Sequence, residues 1–181
     1  MDTATVIAVA SDSGHNFSKP TKPVINIIAG FGVEGDAHAG KTVQHLWDKK
    51  RTPDAPNLRQ VHLVHEEIFS ELAEQGFTVK AGDIGENIVT RGIDLLNLPL
   101  GTQLEFESGA LIELTGLRNP CRKLNKIQDG LIHKFVYKSD EGTRAVKSGV
   151  MSIVLTGGEI RPDDAITVKR PEGPHRPLPI L

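Results

Sequence analysis

The chain has 181 residues, with 21 Lys and Arg against 23 Asp and Glu, giving a net charge of −2 and a pI near 6.4. That length suits one domain with its own core, and the charge balance excludes a broad basic surface for nucleic acid. With 38% apolar and 24% charged residues it is neither a disordered segment nor, lacking any run of about 18 apolar residues, a membrane-spanning chain.

The opening MDTATVIAVA lacks the basic region of a secretory signal. One cysteine excludes an internal disulfide and a four-thiolate zinc site, so a reducing, cytoplasmic setting is expected. Eighteen glycines and eleven prolines with only 4% aromatic residues favour many turns joined by short strands over a helical bundle.

In chain order, the β-branched runs Val6 to Val9 and Val24 to Ile28 predict two strands, and Gln60 to Val64 a third. Glu66, Glu67, Ile68, Phe69 and Leu72, closed by Gly76, predict a helix from first-turn acids, helical apolar spacing and a terminal glycine. The polar stretch from Gly30 to Pro56 is too long for an ordinary connection and reads as a functional loop, a candidate lid. Leu104 and Phe106, then Ile112 and Leu114, alternate with polar neighbours around Ser108-Gly109, which predicts a hairpin. A last pair runs from Val150 to Leu155 and from Ala165 to Val168. The tail from Pro171 to Leu181 holds four prolines and is expected to lie extended over the surface. Roughly eight strands with one or two short helices predict a mainly β domain over residues 1–170, a closed or partly closed β-barrel, with residues 171–181 as its tail.

Three segments carry candidate chemistry. Cys121 follows a predicted strand, with Arg118, Arg122 and Lys123 near it in sequence. Pro120 permits a helix only from itself onward, and Leu124, Ile127 and Leu131 recur at i, i+3 and i+7. Cys121 at the positive end of such a helix, amid cations, would favour thiolate, a nucleophile or metal ligand, and the same cluster would suit an anion such as phosphate. The bland alternative is an inert buried cysteine.

The second segment, Gly30 to Gly40, has four glycines with Asp36 and His38 as exposed acid-base or ligand groups, and reads equally as a surface turn. The third, Gly82 to Gly92, places Glu86 and Asn87 between a turn and a strand, where polar side chains commonly satisfy backbone donors. His62 and His65, three apart beside Glu66, and His38 and His45 in the long loop match no zinc-ligand pattern.

Together these segments resemble the MOSC family, the domain found at the carboxyl end of molybdenum-cofactor sulfurases and as free-standing proteins. Its G-x-x-G-D-x-H-x-G pattern matches Gly32, Gly35, Asp36, His38 and Gly40. Its G-E-N element matches Gly85, Glu86 and Asn87, and its R-x-P-C element matches Arg118, Pro120 and Cys121. A closing glycine-valine stretch matches Gly149, Val150, Val154, Gly157 and Gly158. One departure is Asp163-Asp164, where the family usually has Gly-Asp after the final turn.

The resemblance implies a β-barrel whose cysteine either ligates molybdenum in a bound pterin cofactor or carries sulfur as a persulfide. It implies that Arg118, Arg122 and Lys123 hold the cofactor phosphate or neutralise its charge. Asp36 and His38 would hydrogen-bond the pterin or handle a proton, and Glu86 and Asn87 would support the pocket wall. Three activities are expected to compete. One is reduction of small N-hydroxylated or N-oxide compounds with electrons from a partner; another is sulfur carriage for cofactor maturation; the third is a hydrolase pairing Cys121 with His38 or His62. With one cysteine and few residues before the first strand, any cysteine desulfurase or redox partner is expected to be a separate protein. No nucleic-acid or membrane partner is expected.

Overall fold

Alternating exposure along short β-branched segments organises the chain, whose computed structural model describes residues 4–181. In order come β1 (Thr5–Ala10), β2 (Thr21–Lys22), β3 (Ile25–Ile28), β4 (Gly32–Val33), α1 (Leu46–Arg51), β5 (Val61–His65), α2 (Glu67–Glu74) and β6 (Ile88–Arg91). Then follow β7 (Gln103–Phe106), β8 (Leu111–Leu117), β9 (Val136–Lys138), β10 (Arg144–Val146), β11 (Val150–Thr156), β12 (Gly158–Ile160) and β13 (Ile166–Lys169). Eight strands form one sheet in the order β13-β7-β8-β11-β5-β6-β1-β2, antiparallel except for the β5–β6 pair. β12, β3 and β4 make a second, three-stranded sheet.

The mainly β expectation holds, but no sheet closes into a barrel. The larger sheet has open ends at β13 and β2. Its curl brings β13 near β1, where Thr5 and Ala165 form a single bridge and the Val6 N–H donates to the Asp164 carbonyl at 3.0 Å. Closure stops there because the far half of the same β1 edge is taken by β2, with Val9 opposite Lys22 and Ala10 opposite Thr21. The turn before β13 places Asp163, the departure from the family pattern, at φ +73°, a left-handed conformation that glycine adopts without strain.

Two apolar clusters result. The main core packs inward-facing strand residues such as Val6, Ile27, Leu63, Leu104, Ile112 and Val154. The smaller one joins Ile68 and Leu72 of α2 to Val64, Ile84, Leu124, Leu131 and Phe135, tying the segment after Cys121 to the sheet. The long Gly30 to Pro56 stretch is partly structured: it contains β4 and α1, and its base is closed by the Val43 N–H to Ala55 carbonyl bond and a bridge between Thr42 and Pro56. The tail is mostly exposed, but its end is pinned. Leu178 is buried, and Leu117 exchanges backbone hydrogen bonds with Pro179 and Leu181. No helix among the described residues is long and apolar enough to cross a membrane.

Candidate functional site

Loops after β1, β4, β6's preceding turn and β8 converge on a cavity of about 280 Å³. His38, Asn87, Arg118, Cys121, Arg122 and Lys123 line it, joined by His15, Phe17, Lys19, Asn57, Arg59 and His62. Asp36 and Glu86 stand outside the lining. The cavity's floor depends on two glycines with positive φ. A Cβ on Gly82 would strike the Lys19 carbonyl oxygen, and one on Gly85 would lie 2.7 Å from that of Phe17. That close approach lets the Lys19 N–H donate to the Gly82 carbonyl at 2.8 Å, fixing the Phe17–Lys19 strip beside the turn that leads to Asn87.

Asp36, expected as an exposed group, is instead fully buried, because Lys19, Asn87 and the His38 backbone close around its carboxylate, and it organises one wall. Its carboxylate pairs with Lys19 Nζ at 2.9 Å and accepts from the His38 N–H at 2.9 Å and from Asn87 Nδ2 at 3.0 Å. Burial alone would raise its pKa; the His38 and Lys19 interactions outweigh that and hold it well below the usual carboxylate range. Lys19 is lowered by burial, against the pull of Asp36. Asp36 Oδ1, which accepts the His38 N–H, also lies 3.4 Å from His38 Nδ1, close to a ring whose side chain is 36% exposed and borders the cavity. Asn57 Nδ2 donates to the His38 and Gly40 carbonyls at 2.9 and 3.0 Å, pinning the loop from its other side.

Glu86 supports the wall from behind. One of its carboxyl oxygens accepts from the Gly82 N–H, while the other is buried without a partner. Burial pushes its pKa up to about 7 from the ordinary 4.5. The folded chain therefore holds this proton over a range where the unfolded chain has released it, so stability falls as pH rises from 4.5 to about 7. The full loss is about 3 kcal/mol above that window. Glu86→Gln, whose amide oxygen can keep the Gly82 bond, is expected to remove this slope. Urea unfolding of both proteins at several pH values checks it, and parallel profiles would refute it.

Cys121 is half-buried, with the Arg118 guanidinium beside its thiol. Arg118 is buried, donates from Nη2 to the Ile84 carbonyl at 3.4 Å and lies 5.6 Å over the Phe17 ring. Its Nη1 is buried with no partner. Burial lowers its pKa, opposed chiefly by the Cys121 and Glu86 charges. The α-helix expected after Pro120 does not form. Arg122–Lys126 and Leu131–Lys134 are 3₁₀ turns, interrupted where Gly130 takes φ +80° and Asn125 Oδ1 accepts the Ile132 N–H. Leu124 and Leu131 are buried nonetheless, so the apolar spacing is used without an α-helical dipole at Cys121.

His62 is buried in β5 with Nε2 2.8 Å from the Ser148 carbonyl, a contact that makes Nε2 the donor. Burial, then the Arg118 charge, lowers its pKa well below the ordinary value. No hydrogen bond joins Cys121 to a histidine among the described residues, which leaves the hydrolase expectation without its Cys–His pair. Nor do three His, Cys, Asp or Glu side chains converge as a metal site among those residues.

No Asp or Glu side chain lines the cavity, whereas Lys19, Arg59, Arg118, Arg122 and Lys123 do. Lys19 and Arg59 are answered by Asp36 and, at 3.2 Å, Asp48; Arg118 has no carboxylate partner. The arrangement therefore suits an anion beside a thiol. Lys19, Asn57 and Arg59 are lining residues of the candidate site that sequence reasoning misses. Lys19-Pro20 and Pro56-Asn57 carry only loop signals, and their roles come from distant partners.

Comparison with solved structures places this architecture among known folds. The YuaD protein of Bacillus subtilis superposes with a TM-score of 0.77 at 22% identity, over 94% of this chain and 97% of that one. YiiM of Geobacillus stearothermophilus gives 0.64 at 18% identity, over 92% and 75%, and YiiM of Escherichia coli 0.62 at 19%, over 95% and 73%. Among curated proteins, none matches this chain significantly in sequence. Residues 35–167 match the MOSC domain, a span that holds Asp36, His38, Glu86, Asn87 and Cys121. The chain belongs to the MOSC domain family.

Proposed function

We propose that this protein binds the pterin-based molybdenum cofactor, with Cys121 as the metal ligand, and reduces small N-hydroxylated or N-oxide compounds with electrons from a separate partner. The observation that carries the reading is Arg118. A buried guanidinium is costly without a counter-charge, and this one has an unsatisfied Nη1, no carboxylate partner and a thiol beside it. Cys121 supplies the single soft ligand that a thiophilic metal takes. Arg118, Arg122 and Lys123 line the same cavity and are placed to neutralise an anionic cofactor. When bound, the cofactor supplies two-electron redox chemistry. The chain's own residues do the rest: Asp36 orients His38, His38 holds or moves a proton at the cavity wall, and Asn87 holds Asp36 in place.

Elemental analysis of protein from a cofactor-producing host, paired with intact mass, tests the reading. Molybdenum near one per chain is the expected result. Metal-free protein that gains the mass of one sulfur on Cys121 after incubation with a cysteine desulfurase would replace it with the sulfur-carrier reading.

A further inference from the structure

α1 is a helix with nothing to pack on. None of its six residues is buried, and Leu46 and Trp47, its only apolar residues, are 53% and 64% exposed. It nevertheless sits at the cavity, because His45 and Leu46 belong to the lining.

Charge is concentrated at the same place. Residues 41–59 and 118–134 both border the cavity, and together hold ten Lys and Arg against three Asp and no Glu. The remaining 145 residues hold 11 cations against 20 acids, so a chain of net charge −2 has one strongly positive face. Much of that charge has no internal use. Lys49, Lys50, Arg51, Arg122, Lys123 and Lys126 pair with no carboxylate among the described residues, which gathers six such cations into two short segments at one cavity. Lys49, Lys50 and Arg51 are not in the cavity lining either, so a small anion inside it does not account for them.

We infer that α1 and the Arg122–Lys126 turn form the docking face for a small acidic electron-carrier protein of the ferredoxin or flavodoxin kind. The inference rests on the reductase reading above, which requires electrons from outside the chain. An exposed tryptophan ringed by unpaired cations beside a reactive cavity has the form of a transient redox contact: small in area, steered by charge, with one aromatic anchor. Nucleic acid is the less suitable occupant, since the cations crowd one cavity mouth rather than forming a stripe on a basic chain.

The test is a binding titration of the intact protein with a purified ferredoxin and a purified flavodoxin, at low and high salt. At least one is expected to bind in the micromolar range at low salt and to lose affinity as salt rises. The Lys49→Glu, Lys50→Glu, Arg51→Glu triple variant and Trp47→Ala are each expected to weaken binding tenfold or more. Arg170→Glu, outside both segments, should leave it unchanged. These α1 substitutions touch no buried residue, so the variants are expected to keep the native fold. Reduction driven by a chemical reductant should be unaffected in them, while carrier-driven reduction falls.

Failure of both carriers to bind, or binding indifferent to the charge reversal, would overturn the docking face. So would tighter binding of a single-stranded oligonucleotide, or burial of Trp47 on cofactor loading alone, which would make α1 a lid. Carrier binding needs no cofactor, so the titration tests the docking face and the molybdenum content tests the reductase reading, and the failure of one is distinguishable from the failure of the other.

Discussion

Cys121→Ser is expected to yield folded protein stripped of molybdenum. Serine is nearly the size of cysteine, and the Cys121 side chain is half-exposed and hydrogen-bonded to no histidine, so stability should change by no more than about 0.5 kcal/mol. The hydroxyl, by contrast, stays protonated near neutrality and is a hard ligand where the metal takes soft ones. Loss of outer-shell partners costs metal sites about 10–100-fold, and loss of the ligand itself should exceed that. Molybdenum measured against protein, alongside a thermal melt, separates the effects. A variant with full metal content would remove Cys121 from the coordination sphere and leave Arg118 as a partner for some other anion.

Asp36→Ala is expected to give the largest loss of stability. It strands the Lys19 ammonium, whose side chain is 3% exposed, and deprives the His38 and Asp12 N–H groups and the Asn87 amide of an acceptor. Breaking a buried pair from one side costs about 3–5 kcal/mol, much of the 5–15 kcal/mol that holds a domain together. The check is urea unfolding, read as a lower midpoint at unchanged slope. Combining Lys19→Met with Asp36→Asn leaves no unpaired charge and should recover most of the loss. A single variant that loses under about 1 kcal/mol would show that water reaches the pair.

The sign with pH is opposite to that of Glu86. The folded-state pKa of Asp36 is depressed, so its contribution is present above the ordinary 3.8 and is lost as pH falls below it. Asp36 thus weakens the fold in acid, and Glu86 weakens it toward neutrality.

Most of the strands are legible because they are local. The alternation of Leu104 and Phe106, and of Ile112 and Leu114, needs only period-two patterning with one buried face, and Ser108-Gly109 marks the turn between them. The strands that escape that reading are short. β2 and β4 have two residues each, and β9, β10 and β12 three, too few for any periodicity, and they exist because a neighbour offers an edge. α1 is likewise invisible: LWDKKR buries nothing, so it has no apolar stripe to reveal it. The 3₁₀ turns after Cys121 show the converse. Apolar residues at helical spacing reach the core there, but Gly130 and the Asn125 side chain break the α-helix that the spacing suggests.

The candidate site divides in the same way. Composition excludes an internal disulfide, and the motifs around Asp36, Glu86 and Cys121 mark the family and its candidate cysteine, because these features lie within a dozen neighbouring residues. Only the tertiary structure sets Lys19 against Asp36, separates Asp36 and Glu86 from the cavity lining, leaves the sheet open, and brings Arg59 and His62 into the cavity. Each of those outcomes depends on contacts between segments tens of residues apart, governed by sheet order and by which buried charge finds a partner, and neither quantity is encoded in a local stretch of chain.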